Sequence, residues 1–383
     1  MRILCAPDSF KESLSASQAC LAMQAGIRNA AAALNAEIEV DLCPVADGGE
    51  GTVETLCRAT GGTIQQAQVT GPLGETVTAQ WGLLPDEKTA VIGAAQACGL
   101  HLIPPDKRNP EMTTTYGLGE LIRRALDQGC TKIIAGLGGS GTTDGGAGMA
   151  AALGAVFQGA PEKVRGGDLA DIQKIDLSQL DERLRQTTIR VACDVNNPLC
   201  GPEGAAAVYS PQKGATPEQV KRLDAGLKHL AELMHADADT PGFGSAGGLG
   251  FGMAAFLGAS LEPGAEMILD VLDFSRRCLD ADLVLTGEGQ LDGQSMQGKA
   301  VTTIARLAHE QKKPTVALVG SIGEGAEVCF DRKQGGYLTS GRSIINKPLT
   351  LEQAVAEAES LLAQAAEQVV RLWLVAGRIT GDE

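Results

Sequence analysis

Short apolar runs that stop at a glycine–acid loop recur along this chain, and they constrain its fold more than any other feature. Residues 2–6 form a β-like run that meets Pro7-Asp8-Ser9. Helical spacing then fills residues 15–34, with Ser15 as the expected cap and Leu21, Ala25 and Ile27 on the expected buried face. Residues 37–44 read as a second strand, closed by Val45-Ala46-Asp47-Gly48-Gly49-Glu50-Gly51, and residues 52–60 as a second helix. This βαβα opening predicts a parallel sheet with helices on its faces.

Residues 69–83 break that rhythm: two alternating arms flank Gly71-Pro72-Leu73-Gly74, a hairpin signal. Helical spacing returns over residues 113–129, followed by a strand at 132–135, a glycine loop at 136–148 and a small-residue helix to about 153. Residues 189–194 read as a strand ending on Asp194, residues 218–235 as an amphipathic helix and residues 242–252 as another glycine loop. A strand at 283–286 runs into Gly287-Glu288-Gly289. A helix at 300–310, a strand at 315–319 and a long helix at 351–374 complete the pattern. The expected fold is α/β in two domains. Residues 1–75 and 265–383 form a discontinuous α/β domain, and residues 76–264 an inserted second one.

Composition narrows the function classes. A chain of 383 residues exceeds one ordinary core, and 44% apolar with 21% charged residues excludes disorder. The net charge of −15 repels phosphate backbones and anionic lipid, so neither nucleic acid nor a membrane surface is an expected partner. A small anionic substrate must then be held by local cations and backbone amides. The 49 glycines supply many places where backbone can approach a ligand closely. The ten cysteines lie far apart with no C-x-x-C, which predicts buried free thiols and excludes a zinc ribbon or disulfide framework. The short apolar run at the N-terminus is no signal peptide, and no 18-residue apolar stretch lacks charges or glycine loops; a cytoplasmic location is expected.

Five loops share one design of glycine, acid and often a hydroxyl. They are Asp8-Ser9-Phe10-Lys11, residues 47–52, residues 138–146, Asp194-Val195-Asn196, and Thr286-Gly287-Glu288-Gly289 with Asp292 and Lys299. Any one of them is ordinary turn chemistry. Five together suit phosphate: amides cradle its oxygens, carboxylates hold Mg²⁺, and lysines neutralise charge. Two formal motifs compete. Gly136-x-Gly138-x-x-Gly141 fits a dinucleotide fingerprint but lacks its acid about twenty residues on. Gly293-x-x-x-x-Gly298-Lys299 resembles a triphosphatase loop, yet Ala300 takes the Ser/Thr place and the strand stops too early. His229 and His235 lie on a polar helix, His101 and His309 lack partners at ligand spacing, and no G-x-S-x-G elbow occurs.

The segments APDSFKESLSA, VADGGEGT, GLGGSGTTDGGAGM, DVNNPL, PQKGA, AGGLG and TGEGQLDGQSMQGK, in this order from residue 6 onward, resemble the bacterial glycerate kinase family of the first type. The resemblance covers nearly the whole chain, with small departures at residues 141–143. It implies phosphorylation of D-glycerate by ATP with Mg²⁺, in many members at the 2-hydroxyl. It also implies one flavodoxin- or Rossmann-like parallel-sheet domain and one mixed α/β domain likened to restriction endonucleases, with the active site between. Either a monomer or a homodimer is compatible with it. The alternatives are an NAD-dependent hydroxy-acid dehydrogenase, resting on the 136–141 match alone, and a non-catalytic two-lobed binder, against which the missing export signal counts.

Within that frame Lys11, beside Asp8 and Ser9, is the expected cation for the glycerate carboxylate, with Arg108 and Lys213 as weaker candidates. Asp194, followed by Asn196, is the expected general base and Asp8 its rival. Asp47, Glu288 and Asp292 are the expected metal ligands. Ser9, Gly48, Gly49, Gly138, Gly139, Ser140, Asn196, Thr286, Gly287 and Lys299 are the expected substrate and phosphate contacts. Asp144 fits either a ligand or a helix cap.

Overall fold

The computed structural model describes residues 1–46, 48–49, 51–296 and 299–380. Its contacts divide the chain into two compact units, residues 1–47 with 265–383, and residues 48–264. In chain order the strands are β1 (Arg2–Pro7), β2 (Glu39–Leu42), β3 (Thr63–Thr70), β4 (Thr76–Leu83), β5 (Thr89–Gly93), β6 (Lys132–Gly136), β7 (Val156–Gln158), β8 (Lys174–Asp176), β9 (Thr188–Ala192) and β10 (Ser260–Glu262). They continue with β11 (Leu283–Gly287), β12 (Gln290–Leu291), β13 (Thr315–Val319), β14 (Ser321–Ile322) and β15 (Ser340–Ser343).

The first unit is built on a five-stranded sheet in the order β15-β13-β11-β1-β2, every pairing parallel. Counted within the sheet this is 2-1-3-4-5, the doubly wound order whose switch point falls between the first and third strands. Here those strands are β1 and β11. Parallel strands covered on both faces need continuous apolar runs. Ile3 to Ala6, Leu283 to Leu285 and Val316 to Val319 supply them, all buried. On one face Met23 and Ile27 of the helix Ala16–Leu34 share a core with Leu362 and Ala366 of the helix Ala358–Thr380. On the other, Val301 and Ala305 of the helix Ala300–Glu310 pack with Ala317 and Val319.

Ser15 caps the first helix as expected. Its buried stripe, however, is Ala19, Met23, Ile27 and Ala30, while Leu21 and Ala25 are exposed. Two residues turn a helix by more than half a revolution, so Leu21 lies opposite Ala19. The long C-terminal helix is two, Leu351–Ala356 and Ala358–Thr380, separated at Glu357.

The second unit carries a mixed six-stranded sheet, β10-β9-β6-β5-β4-β3. β3, β4 and β5 are antiparallel, with the first turn at the expected glycine–proline loop, and β5, β6, β9 and β10 are parallel. The chain first crosses between units at 47/48, where expectation placed the change at 75/76, because β3 and β4 complete this sheet and the helix Thr52–Thr60 packs on them. In the parallel part Gly93, Gly136, Ala192 and Glu262 stand level as register partners. The loops that follow these four strands therefore leave from one edge of the sheet. β9 stops at Ala192, so Asp194 lies two residues past the strand rather than at its end. The expected glycine loop at 242–252 is mostly a helix, Ser245–Leu257, broken by left-handed backbone at Ala246, Gly247 and Gly248. Among the described residues no helix is long and apolar enough to cross a membrane, and all ten cysteines are free.

Candidate functional site

In the first unit the chemistry gathers at the switch point. β1 and β11 end as neighbours, with Pro7 paired to Gly287, and the Asp8 amide extends the pairing by donating to the Gly287 carbonyl at 2.9 Å. The Asp8 carboxylate accepts the Ser9 amide at 2.6 Å, which fixes the start of the first loop. Lys11 follows, exposed, with the backbone of Gly289 alongside its amide. Glu288 is the next residue after β11 and is only 7% exposed. Ser295 donates its hydroxyl to Glu288 Oε1 at 2.9 Å, while Lys299 Nζ stands 4.0 Å from Oε2 and 3.9 Å from Asp292 Oδ1. Burial pushes the Glu288 carboxyl above the usual range, and the Asp292 charge adds to this. The Ser295 hydroxyl and the Lys299 and Lys11 charges act the other way.

Asp292 opens its own turn, accepting the Gln294 amide at 2.9 Å. Two carboxylates thus share one ammonium without a tight ion pair to either. Among the expected contacts, the Thr286 hydroxyl is spent inside the sheet, donating to the Ala6 carbonyl at 2.8 Å. Ser295 was not among the expected residues; the Asp292-x-x-Ser295 spacing, a local capping pattern, is its signal in the sequence.

In the second unit the level strand ends organise the site. Gly48 has a left-handed φ of +85° and sits so close to β9 that a Cβ there would fall 2.2 Å from the Ala192 Cβ. Beyond β6, Gly138 and Gly139 are exposed, and their amides donate to nothing among the described residues. Ser140 turns inward, its hydroxyl donating to the Ala246 carbonyl at 3.1 Å. Beyond β9, Asp194 and Asn196 are both exposed, and Asp194 Oδ1 accepts the Gly264 amide at 2.7 Å. Gly49 accepts the Thr52 hydroxyl through its carbonyl at 2.8 Å, opening the helix Thr52–Thr60. Asp47 lies outside the described residues.

Asp144 is a structural acid. Its carboxylate accepts the Thr115 amide and hydroxyl, both at 2.8 Å, and the Gly146 and Gly148 amides at 3.1 and 3.2 Å. It is 1% exposed and burial raises its pKa. Asp144→Ala strands these donors in the interior at about 1–3 kcal/mol each. A loss of about 3 kcal/mol or more is expected from the urea midpoint.

The weaker cation candidates part company. Lys213 is buried, with 2% exposure, and its ammonium donates to the Thr142 carbonyl and the Ser140 hydroxyl. Arg108 is half-buried, with an Nε that has no partner among the described residues. Two of the histidines make structural contacts, His229 to the Ile172 carbonyl and His309 stacked on Tyr337, while His101 and His235 are exposed. The dinucleotide fingerprint fails on geometry. Gly141 is tied to Cys98 through its amide, and no helix begins before Ala147.

An α/β chain whose strand ends offer exposed glycine amides, carboxylates and lysines, with no nucleophile–histidine pair among the described residues, is equipped for phosphoryl transfer. A model of the glycerate kinase family matches residues 3–374. The chain belongs to that family. The glycerate kinase of Halalkalibacterium halodurans is 45% identical over 375 residues, covering 96% of this chain and 97% of its own. The glycerate 2-kinase of Escherichia coli K12 is 43% identical over 389 residues, with 100% of each chain covered. A crystal structure from Salmonella typhimurium LT2, put forward as a glycerate kinase 2, superposes with a TM-score of 0.87 at 44% identity and covers 99% of both chains.

Proposed function

We infer that this chain transfers the γ-phosphoryl group of ATP to the 2-hydroxyl of D-glycerate. The observation that carries the chemistry is the group at the β1/β11 switch point, where Glu288 and Asp292 share Lys299 at about 4 Å. Family membership supplies the substrate.

In the transfer, the glycerate hydroxyl oxygen forms the new bond to phosphorus, the bond from phosphorus to the β-phosphate oxygen breaks, and ADP leaves. Asp194 takes the hydroxyl proton. Its carboxylate is oriented by the Gly264 amide, which donates to Oδ1 at 2.7 Å. Lys11, with Asp8 and Ser9 shaping its loop, binds the glycerate carboxylate. The exposed amides of Gly138 and Gly139, with Gly48 and Gly49, hold phosphate oxygens, and Asn196 orients the substrate beside Asp194. Lys299, at the start of the helix Ala300–Glu310, faces the transferring phosphate.

Mg²⁺ fits these residues. It is commonly held by one or two carboxylates together with phosphates and waters, which Glu288, Asp292 and Asp47 suit. Among the described residues no three metal-binding side chains come together. When bound there, Mg²⁺ would neutralise the charge that develops on the leaving ADP.

A coupled ADP-release assay with D-glycerate, with and without Mg²⁺, tests the reading. ADP formation that requires both glycerate and Mg²⁺ is expected; glycerate-independent ADP release, or NADH turnover in its place, contradicts it. Lys11→Ala should raise the KM for glycerate about tenfold or more with a smaller change in kcat, since a charge-assisted hydrogen bond contributes about 1.5–3 kcal/mol.

A further inference from the structure

The buried ammonium of Lys213 has no part in that mechanism, yet three segments of the second unit converge on it. Lys213 ends the turn Pro211–Lys213. Its Nζ donates to the Thr142 carbonyl at 2.6 Å and to the Ser140 hydroxyl at 3.2 Å. Ser140 relays the contact by donating its own hydroxyl to the Ala246 carbonyl at 3.1 Å. The Gly145 amide donates to the Gly247 carbonyl at 3.3 Å, and the Thr143 and Ser210 hydroxyls share a bond at 3.0 Å.

The third segment is strained. Ala246, Gly247 and Gly248 have φ of 52°, 75° and 84° in succession. Left-handed backbone costs about 1–2 kcal/mol at a residue with a Cβ, such as Ala246, and persists only where surrounding contacts hold it. There is no room at the crossing: a Cβ on Gly247 would lie 2.1 Å from the Thr142 carbonyl and 3.0 Å from Lys213 Nζ. The charge-assisted bonds from Lys213 meet the need for a clamp.

We propose that Lys213 is a positioning residue, whose ammonium ties residues 138–146 to the left-handed 246–248 turn and so holds the Gly138 and Gly139 amides in the shape that receives a phosphate. This rests on the reading of Gly138 and Gly139 as phosphate contacts. The amides of those two glycines point to no partner within the described residues, whereas the carbonyl of Thr142, four residues beyond Gly138, is drawn inward by Lys213. Successive backbone amides held without partners in such a loop form a concavity that suits an anion.

The clamp is also sensitive to protonation. Burial pulls Lys213 down to about 8, opposed by Cys98 and Asp144. Arg108 runs against the neighbouring Gly214, and the helix Ser245–Leu257 carries no titratable side chain. Loss of the proton weakens the bond to Thr142 as pH rises through that value.

The test compares Lys213→Met, Lys213→Arg and Gly139→Ala in the full chain, by the KM for ATP, kcat, thermal midpoint and hydrogen exchange of residues 138–146. If the receptive loop shape falls to about a tenth of the population, KM rises about tenfold. The expected result is that rise in Lys213→Met with a smaller change in kcat, faster exchange across 138–146, and partial rescue by Lys213→Arg. Gly139→Ala should raise the same KM. A wild-type KM in folded Lys213→Met, with KM raised in Gly139→Ala, overturns the clamp and leaves the phosphate reading standing. A wild-type KM in both overturns the two together. Should Lys213→Met fail to fold, the wild-type enzyme decides: KM for ATP rising above about pH 8 with faster exchange at 138–146 supports the clamp, and a flat KM overturns it.

Discussion

Asp194→Asn is expected to lower kcat by about 10²–10⁴-fold, the range over which a positioned general base contributes, while the thermal midpoint stays within a degree or two of wild type. Asparagine keeps the shape of the side chain, and its carbonyl oxygen still accepts the Gly264 amide that aspartate accepts at 2.7 Å. The capacity to take a proton is lost. The KM values for ATP and glycerate should therefore move little. Asp8 stands as the other acid at a strand end, its carboxylate engaged by the Ser9 amide. If Asp194→Asn keeps near-normal turnover and Asp8→Asn loses it, the base is Asp8.

Glu288→Gln should separate stability from activity. Loss of a ligand's outer-shell partner alone costs about 10–100-fold in metal affinity, so loss of a direct carboxylate is expected to raise half-saturation by Mg²⁺ about 100-fold or more. The same change should stabilise the protein without ligands. Burial raises the Glu288 carboxyl above its ordinary value, so folding favours the neutral form. The protein is then most stable, as far as this group is concerned, below the ordinary carboxyl range, and it loses that stability as pH rises through the raised folded value. Glutamine stays neutral and still accepts the Ser295 hydroxyl. Melting curves of the two proteins should coincide at acidic pH, and Glu288→Gln should melt higher near neutrality. An unchanged Mg²⁺ requirement would remove Glu288 from the metal set. A lower midpoint at neutral pH would contradict the electrostatic account of its burial.

Much of the fold was legible where local pattern and tertiary environment agree. The helix Thr52–Thr60 and the strand Thr315–Val319 have the bounds their residues suggest, because each carries its own cap, turn or apolar run. The hairpin turn at 71–74 is legible for the same reason. Features set by distant partners were not. Leu21 reads as core but faces outward, because the sheet beneath the helix selects the stripe through Ala19, Met23 and Ile27. The crossing between units at 47/48 depends on β3 and β4 joining β5 and β6, a pairing that no local period encodes.

The glycine–acid loops were legible as a set because composition singles them out. Their division of labour was not. Thr286 spends its hydroxyl within the sheet and Asp144 spends its carboxylate on four donors, two roles that depend on burial rather than on residue type. Lys213 shows the same limit from the other side. From the sequence Lys213, in a Pro-Gln-Lys-Gly turn, is a weaker candidate cation for the substrate carboxylate, and only the convergence of 140–142 and 246–248 around it places the charge indoors.

Transfer of phosphate to the 2-hydroxyl of glycerate is tested most directly by proton NMR of the product with and without phosphorus decoupling. Incubation with ATP, Mg²⁺ and D-glycerate is predicted to give a phosphoglycerate whose single C2 proton is split by phosphorus through three bonds. Three-bond splitting of the two C3 protons would place the phosphate on the other hydroxyl and contradict the proposed pose. Absence of any phosphorylated glycerate would contradict the function itself.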